Sequence, residues 1–210
     1  MLEKDWKGDK MSLFRILGSS SHSVEERAND DFYATDPKAG YDLFSKLEKL
    51  DSVIIDNSVG EGHLLKHFVD KGFKLIGYDI VNRNKIIELD KFVLCDFLNL
   101  EAIEEKDFSI VMNPPYSKAL EFVQKSLDLQ REGGKVCAFL KIQFLEGKKR
   151  RLFFEENPPV RVWVSSSRIQ CVKNADFNKI KEEKQSSAVC YAWFIWEKGY
   201  KGETTLKWFN

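Results

Sequence analysis

Asn113-Pro114-Pro115-Tyr116 has the makings of a site for a planar amino group. Asn113 and Pro114 each precede a proline, which pushes both into extended backbone. Pro114 and Pro115 have a fixed φ and no N–H. Such a rigid tetrapeptide presents an amide oxygen and a backbone carbonyl toward one point, with an aromatic ring alongside. Two acceptors match the two hydrogens of an NH2 group, and the ring offers a face to the plane that carries it. Three other segments could hold a nucleoside. Asp56-Asn57-Ser58-Val59-Gly60-Glu61-Gly62 has glycines that let the backbone turn tightly and approach a ligand without a Cβ in the way. Asp79 lies 17 residues after Gly62, where an acid can accept both hydroxyls of a ribose. Asp96-Phe97 couples a carboxylate to an aromatic face, a pairing suited to an adenine amino group and its ring. Each segment also has an ordinary structural use, as a tight turn, a helix cap or core packing.

The elements that would position these residues follow from the hydrophobic pattern. Short apolar strands are expected at 53–56, 74–79, 92–95, 108–112 and 136–140, with two more at 160–164 and 188–196. Pro37 opens a helix that runs to about Leu50. A second helix carries Leu64, Leu65 and Phe68 on one face. A third spans 117–131, with Leu120, Val123 and Leu127 at helical spacing, and Gly133-Gly134 ends it. Strands that are apolar throughout and alternate with helices imply a parallel sheet covered on both faces. Right-handed crossovers make it doubly wound. The expected fold is α/β: a doubly wound, mostly parallel seven-stranded sheet with helices on both faces. Asp56, Asp79, Asp96 and Asn113 then all fall at the carboxyl ends of strands, where open α/β sheets bind ligands.

A chain of 210 residues with 43% hydrophobic and 13% aromatic content supports one domain with a real core. Residues 1–30 are polar and irregular and read as a partly flexible extension; 31–210 read as a single domain. Lys+Arg and Asp+Glu both number 33, so bulk charge does not make this a polybasic nucleic-acid binder. The charge is uneven, however. Residues 141–184 carry 11 basic and 6 acidic side chains, an excess of five, and Lys148-Lys149-Arg150-Arg151 is the densest run. Those four and Arg168 are candidate phosphate contacts, with Arg161 a further one, inside a basic substrate-recognition segment at 141–187. Trp193, Trp196 and Trp208 read as core or edge-strand packing. Cys95, Cys137, Cys171 and Cys190 form no CxxC pair, and His22, His63 and His67 complete no zinc site; no metal is expected. The thiols read as buried and reduced. No run approaches 18 apolar residues and the first ten are charged, so a cytoplasmic protein without membrane contact is expected.

In order along the chain, Asp31-Phe32-Tyr33-Ala34-Thr35-Asp36-Pro37, Asp56 through Gly62, Tyr78-Asp79, Cys95-Asp96-Phe97-Leu98 and Asn113 through Tyr116 resemble the S-adenosylmethionine-dependent DNA adenine-N6 methyltransferases, in particular the small phage and prophage type. Phe144-Leu145-Glu146-Gly147, Asn157-Pro158-Pro159 and Tyr191-Ala192-Trp193-Phe194 extend the likeness, which spans roughly residues 25–205. The resemblance implies a Rossmann-like class I methyltransferase fold, S-adenosyl-L-methionine as cofactor and DNA as partner. It implies that Phe32, Tyr33 and Thr35 close over the methionine end of the cofactor, that Asp56, Gly60 and Gly62 form the cofactor loop, that Asp79 holds the ribose, and that Asp96 and Phe97 hold the adenine. Asn113, Pro114, Pro115 and Tyr116 then form the catalytic motif that receives a flipped adenine. Asn57 stands where many relatives have a proline, and no separate target-recognition domain follows the core. The same tetrapeptide would serve an RNA base amine, on adenine N6 or guanine N2. It would also serve a protein glutamine amide, although that family usually has a helical domain ahead of the core.

Overall fold

The computed structural model describes residues 33–169, 171–173 and 189–210. Phe32, the extension at 1–30 and the stretch 174–188 of the basic segment lie outside the described residues.

In chain order the strands are β1 (Tyr33–Thr35), β2 (Val53–Asp56), β3 (Lys74–Asp79), β4 (Lys91–Leu94), β5 (Ser109–Met112), β6 (Lys135–Lys141), β7 (Arg161–Ser165), β8 (Cys171–Lys173), β9 (Tyr191–Glu197) and β10 (Thr205–Phe209). The α-helices are α1 (Pro37–Asp42), α2 (Ala119–Leu129) and α3 (Lys148–Glu156). Asp36 caps α1 by accepting the Lys38 N–H, and Pro37 takes the first helical position. The helix then widens into a π turn over Leu43–Leu47.

Eight strands form the main sheet in the order β10-β7-β9-β6-β5-β2-β3-β4. All neighbours are parallel except β9, which runs antiparallel to both β6 and β7. The doubly wound expectation holds, with eight strands in place of seven. The eighth, β10, lies on the edge beside β7, and its alternating Leu206 and Trp208 stay exposed, which left its apolar pattern weak. A separate two-stranded ribbon pairs β1 with β8, Thr35 opposite Cys171.

The strand pleat sorts the core into two layers. Ile110, Met112, Val136, Ala138, Leu140, Phe194 and Trp196 face one side, where Phe122, Val123 and Leu127 of α2 and Phe153 of α3 cover them. Val111, Cys137, Phe139, Trp193 and Ile195 face the other, under Ala39, Leu43, Leu64, Leu65 and Phe68. Trp193 also donates its indole N–H to the Ala39 carbonyl at 3.1 Å. Trp193 and Trp196 are therefore core, whereas Trp208 is 65% exposed on the edge.

The helix expected over Leu64, Leu65 and Phe68 is instead a series of turns with one 3-10 turn, Lys66–Phe68. These side chains are buried all the same. The cause is a close backbone approach: the Leu64 carbonyl oxygen lies 2.1 Å from where a Cβ on Gly40 would stand, so the segment packs backbone to backbone on α1.

At the sheet end away from the candidate site, Arg161 is committed to structure. Buried Glu48 accepts Arg161 Nε at 2.6 Å and Nη2 at 2.7 Å, Lys135 Nζ at 2.9 Å and Trp163 Nε1 at 3.1 Å. Burial pushes the Glu48 carboxyl up, but these donors outweigh it and hold it below its ordinary value. Among the described residues, no helix is long and apolar enough to cross a membrane.

Candidate active site

The chain leaves β2 toward β3 and β4 on one side, and β5 pairs with β2 on the other. This reversal of strand order opens a crevice at the carboxyl ends of the strands. A cleft of about 460 Å³ lies there, lined by Ala34, Thr35, Asp56, Asn57, Asp79, Asp96, Phe97 and Asn113 among others. Residues from four separate strand ends and the β1 ribbon strand thus meet in one place, as the spacing of the sequence implies.

The β2–β3 crossover is locked to the end of β3. Gly60 adopts φ +54° and donates its N–H to Asp79 Oδ2 at 2.9 Å, while Asp79 Oδ1 accepts Val81 N–H at 3.1 Å. Arg83 Nη1 makes a longer contact with the same Oδ1, at 3.4 Å. A carboxylate has about four lone-pair positions. A ligand diol could take the open one and displace the long Arg83 contact. Gly62, at φ +91°, serves packing: a Cβ there would sit 2.7 Å from Ile87 Cγ1 and 2.8 Å from Asn84 Oδ1. Asn57 is buried and donates to Ser126 Oγ of α2 at 2.8 Å, pinning the loop to the helix. Its departure from proline therefore replaces a rigid ring with a hydrogen bond. Asn57 lines the cleft, and its Oδ1 is buried and without a hydrogen-bond partner among the described residues.

Asp56 is 1% exposed at the end of β2, with its carboxylate accepting the Ser58 N–H at 3.0 Å. Burial pushes its pKa up to about 7; the Ser58 bond opposes this and the nearby Asp79 charge adds to it. Burial also pushes the His63 imidazole below its ordinary value, against Glu61, 3.8 Å away.

Asp96 caps the short turn Phe97–Asn99, accepting Leu98 N–H at 3.0 Å and Asn99 Nδ2 at 3.3 Å. Phe97 is 2% exposed, with its ring 5.6 Å from Tyr78 and 6.1 Å from Phe122. It serves at once as core and as cleft wall.

Asn113 directly follows β5. Its Nδ2 donates to Thr35 Oγ1 at 2.7 Å and lies 3.9 Å from Cys171 Sγ. The Asn113 carbonyl accepts the Ser58 hydroxyl at 3.3 Å, which joins the tetrapeptide to the β2–β3 crossover. Pro115 lines the cleft, but Pro114 and Tyr116 do not. Tyr116 instead lines a second groove of about 360 Å³ with Phe144, Lys148, Lys149 and Arg150. Its hydroxyl donates to Tyr191 Oη at 3.2 Å, and the Lys141 ammonium lies 4.5 Å from its ring centroid. Burial, with Cys171 and Tyr191 adding to it, holds the Tyr116 phenol well above its ordinary range. The tetrapeptide is thus a partition, with Asn113 and Pro115 toward the cleft and Tyr116 toward the groove.

Of the basic candidates, Lys148, Lys149 and Arg150 share this groove, and the Arg150 guanidinium sits 5.3 Å over Phe144. Arg151 does not line it and pairs along α3 with Glu155 at 3.6 Å. Arg168 is exposed and lines neither cavity. Tyr33 lies in β1, a strand the hydrophobic pattern did not mark. The site contacts of Lys141, Ser58 and Cys171 were not read from the sequence, although Ser58 lies inside the Asp56–Gly62 loop. Lys141 ends β6, a strand-end position that could have marked it. Cys171 reaches the site only through the β1–β8 pairing, which leaves no periodic signal.

No protein-family model and no curated protein matches the chain. Solved structures do. A Listeria monocytogenes protein assigned to the class I S-adenosylmethionine-dependent methyltransferases superposes with a TM-score of 0.52 at 12% identity, over 94% of this chain and 70% of its own. This chain has the class I methyltransferase fold. A Pyrococcus horikoshii protein assigned as an RNA methyltransferase gives 0.54 at 13% identity, over 89% of this chain and 97% of its own. The 23S rRNA methyltransferase ErmE gives 0.51 at 16% identity, over 80% and 69%.

Proposed function

We propose that the chain is an S-adenosylmethionine-dependent methyltransferase that modifies the exocyclic N6 amine of adenine in DNA. The observation that carries this reading is the placement of Asn113. Its amide stands at the wall between a buried acidic cleft and a groove bearing Lys148, Lys149 and Arg150.

The cleft fits the cofactor. Asp56, Asp79, Asp96 and Glu61 give it more acid than His63, Arg83 and Lys118 offset, which suits a ligand bearing an ammonium and a sulfonium. The buried Asn57 Oδ1 is an acceptor in need of a donor. When bound, S-adenosylmethionine supplies a methyl group activated by positive sulfur. Asp79 would hold the ribose hydroxyls, Asp96 the adenine amino group, and Asp56 with Asn57 the ammonium end. Thr35 lines the cleft, and the sequence resemblance assigns Phe32, Tyr33 and Thr35 to closure over that end.

The target amine is a poor nucleophile because its lone pair is delocalised into the ring. Asn113 Oδ1 and the Pro114 carbonyl accept its two hydrogens and favour a tetrahedral nitrogen. Fixed acceptors aimed at a nitrogen that gains positive charge lower the barrier where charge develops. Holding nitrogen in line with the methyl supplies the proximity contribution. Transfer would form the N–CH3 bond as the S–CH3 bond breaks, and the methylated nitrogen would then release one hydrogen to water as a proton. The base must first leave the stack, at a cost of a few kcal/mol. Stacking on Tyr116 returns about 1–3 kcal/mol, on the ring face not held under Lys141. The strand that carries the base would run along the groove, its phosphates on Lys148, Lys149 and Arg150.

The test is methyl transfer from labelled S-adenosylmethionine to methylation-free duplex DNA, single-stranded DNA and total RNA, followed by nucleoside digestion. N6-methyladenine in DNA is expected. Asn113→Ala should lower transfer about 10³-fold, with cofactor affinity retained. Absence of label from all three acceptors would overturn the reading. RNA is the second reading, favoured because two of the structural neighbours carry RNA or rRNA methyltransferase assignments. Label confined to RNA would select it and leave the chemistry unchanged.

A further inference from the structure

A primary amide can catalyse the proposed reaction only when its oxygen, not its nitrogen, points at the amine. The two ends of an Asn side chain have nearly the same shape, so their orientation is set by hydrogen-bond partners. Resting on the methyltransferase reading, we infer that the β1–β8 ribbon is the device that sets this orientation, with Thr35 as the positioning residue and Cys171 as its support.

Thr35 is 3% exposed, and its Oγ1 lies 2.7 Å from Asn113 Nδ2. A hydroxyl has one hydrogen to give. In the contact that joins them, Asn113 Nδ2 donates and Thr35 Oγ1 accepts, which leaves the Thr35 hydroxyl hydrogen to be spent elsewhere. That fixes the NH2 end of Asn113 against Thr35 and turns Oδ1 away from it. Cys171 Sγ is a second, weaker acceptor for the same NH2 at 3.9 Å, and the Tyr116 and Tyr191 hydroxyls approach it as well. Burial pushes the Cys171 thiol up to about 11, so it stays a neutral thiol at physiological pH. The ribbon register puts both groups on the amide, because Thr35 and Cys171 are direct cross-strand partners. Segments 136 residues apart thereby converge on one NH2 group. This assigns Thr35 to the catalytic Asn113, where the sequence resemblance implies only closure over the methionine end of the cofactor.

Two substitutions separate these roles. Thr35→Val keeps the shape and removes the acceptor; Thr35→Ser keeps the acceptor. Thr35→Val should lower kcat about 30-fold to 100-fold while the dissociation constant of S-adenosylmethionine, measured by calorimetry, changes less than about threefold. Thr35→Ser should restore kcat to within about threefold of wild type. A second readout does not need activity. In protein labelled with 15N at asparagine, the Asn113 side-chain NH2 signals, assigned by their loss in Asn113→Ala, should shift and exchange faster in Thr35→Val but not in Thr35→Ser. Equal loss of kcat and cofactor affinity in Thr35→Val would make Thr35 a cofactor contact and overturn the inference. Unchanged Asn113 signals in Thr35→Val would overturn it as well. If the wild type methylates no acceptor, the functional reading fails, and the NH2 signals alone decide whether Thr35 holds Asn113.

Discussion

The two cavities that flank Asn113–Tyr116 are built in opposite ways. The cleft sets acids held by hydrogen bonds among apolar walls: Asp56 is 1% exposed, Asn57 is bonded to α2, and Asp79 ties two loops together. The groove is cationic and open: Lys148 and Lys149 are exposed, and one acid, Glu121, lines it with them. Buried, oriented carboxylates suit a small cationic ligand that must be held in one pose. Mobile surface cations suit a polyanion, whose affinity comes largely from release of counterions and needs no single geometry. One tetrapeptide between them would let each be optimised separately while, in the proposed reaction, the reacting atoms still meet across a single wall.

The comparison breaks most sharply at Asp79. Removing the carboxylate leaves Gly60 N–H and Val81 N–H without their acceptor and removes the proposed ribose partner at once. Asp79→Ala should weaken S-adenosylmethionine binding at least about 100-fold by calorimetry, since charge-assisted hydrogen bonds contribute about 1.5–3 kcal/mol each. Its effect on acceptor affinity in a filter-binding assay should be under about threefold. A matching loss in acceptor affinity would mean that the two cavities are not independent.

The reciprocal change lies in the groove. Joint replacement of Lys148, Lys149 and Arg150 by Ala should weaken duplex DNA binding about tenfold or more at low salt. It should flatten the log–log salt dependence by roughly 0.9 for each phosphate that is no longer neutralised. Cofactor affinity should stay within about twofold. Adding Arg151→Ala should change little, because that guanidinium lies along α3 beside Glu155. An unchanged salt slope in the triple variant would remove the groove as the path of the strand.

The same contrast explains what was legible in the sequence. The cleft residues sit at strand ends, and strand ends are marked by where a buried apolar run stops. Asp56, Asp79, Asp96 and Asn113 could therefore be placed together before any coordinates. The basic run was visible too, but charge in a sequence does not say where a side chain is spent. Arg161 went to Glu48, 113 residues away, and Arg151 to its own helix. The strand β10 was hidden because a half-exposed edge strand lacks the apolar run of a central one. The ribbon was hidden for a related reason: β1 and β8 are three residues each, and their pairing is a long-range event with no local signature. The contacts of Thr35 and Cys171 with Asn113 depend wholly on that pairing.

The smallest predicted effect tests whether the acid of the cleft is held for its ligand at a cost to the fold. Asp56 has a folded pKa of about 7 against an ordinary value of 3.8. Between pH 4 and 7 the native state therefore binds more protons than the unfolded state, and by linkage the stability of the ligand-free protein falls as pH rises through that window, then levels off. Asp56→Asn keeps an acceptor for the Ser58 N–H and removes the charge. The variant should match wild type near pH 4 and exceed it at pH 8 by on the order of 2 kcal/mol, or ~5 °C in Tm, measured by calorimetry. Cofactor binding should move the other way. Wild-type affinity should strengthen as pH rises through 7, because the ionised carboxylate is the form that meets a cation, and the Asn variant should lose both that pH dependence and about tenfold in affinity at pH 8. A variant that gains no stability at pH 8 would show that Asp56 is already solvated or paired there. A variant that gains stability and binds the cofactor at full strength would show that the charge of the cleft is not what holds the ligand, and would leave Asp79 and the backbone to account for it.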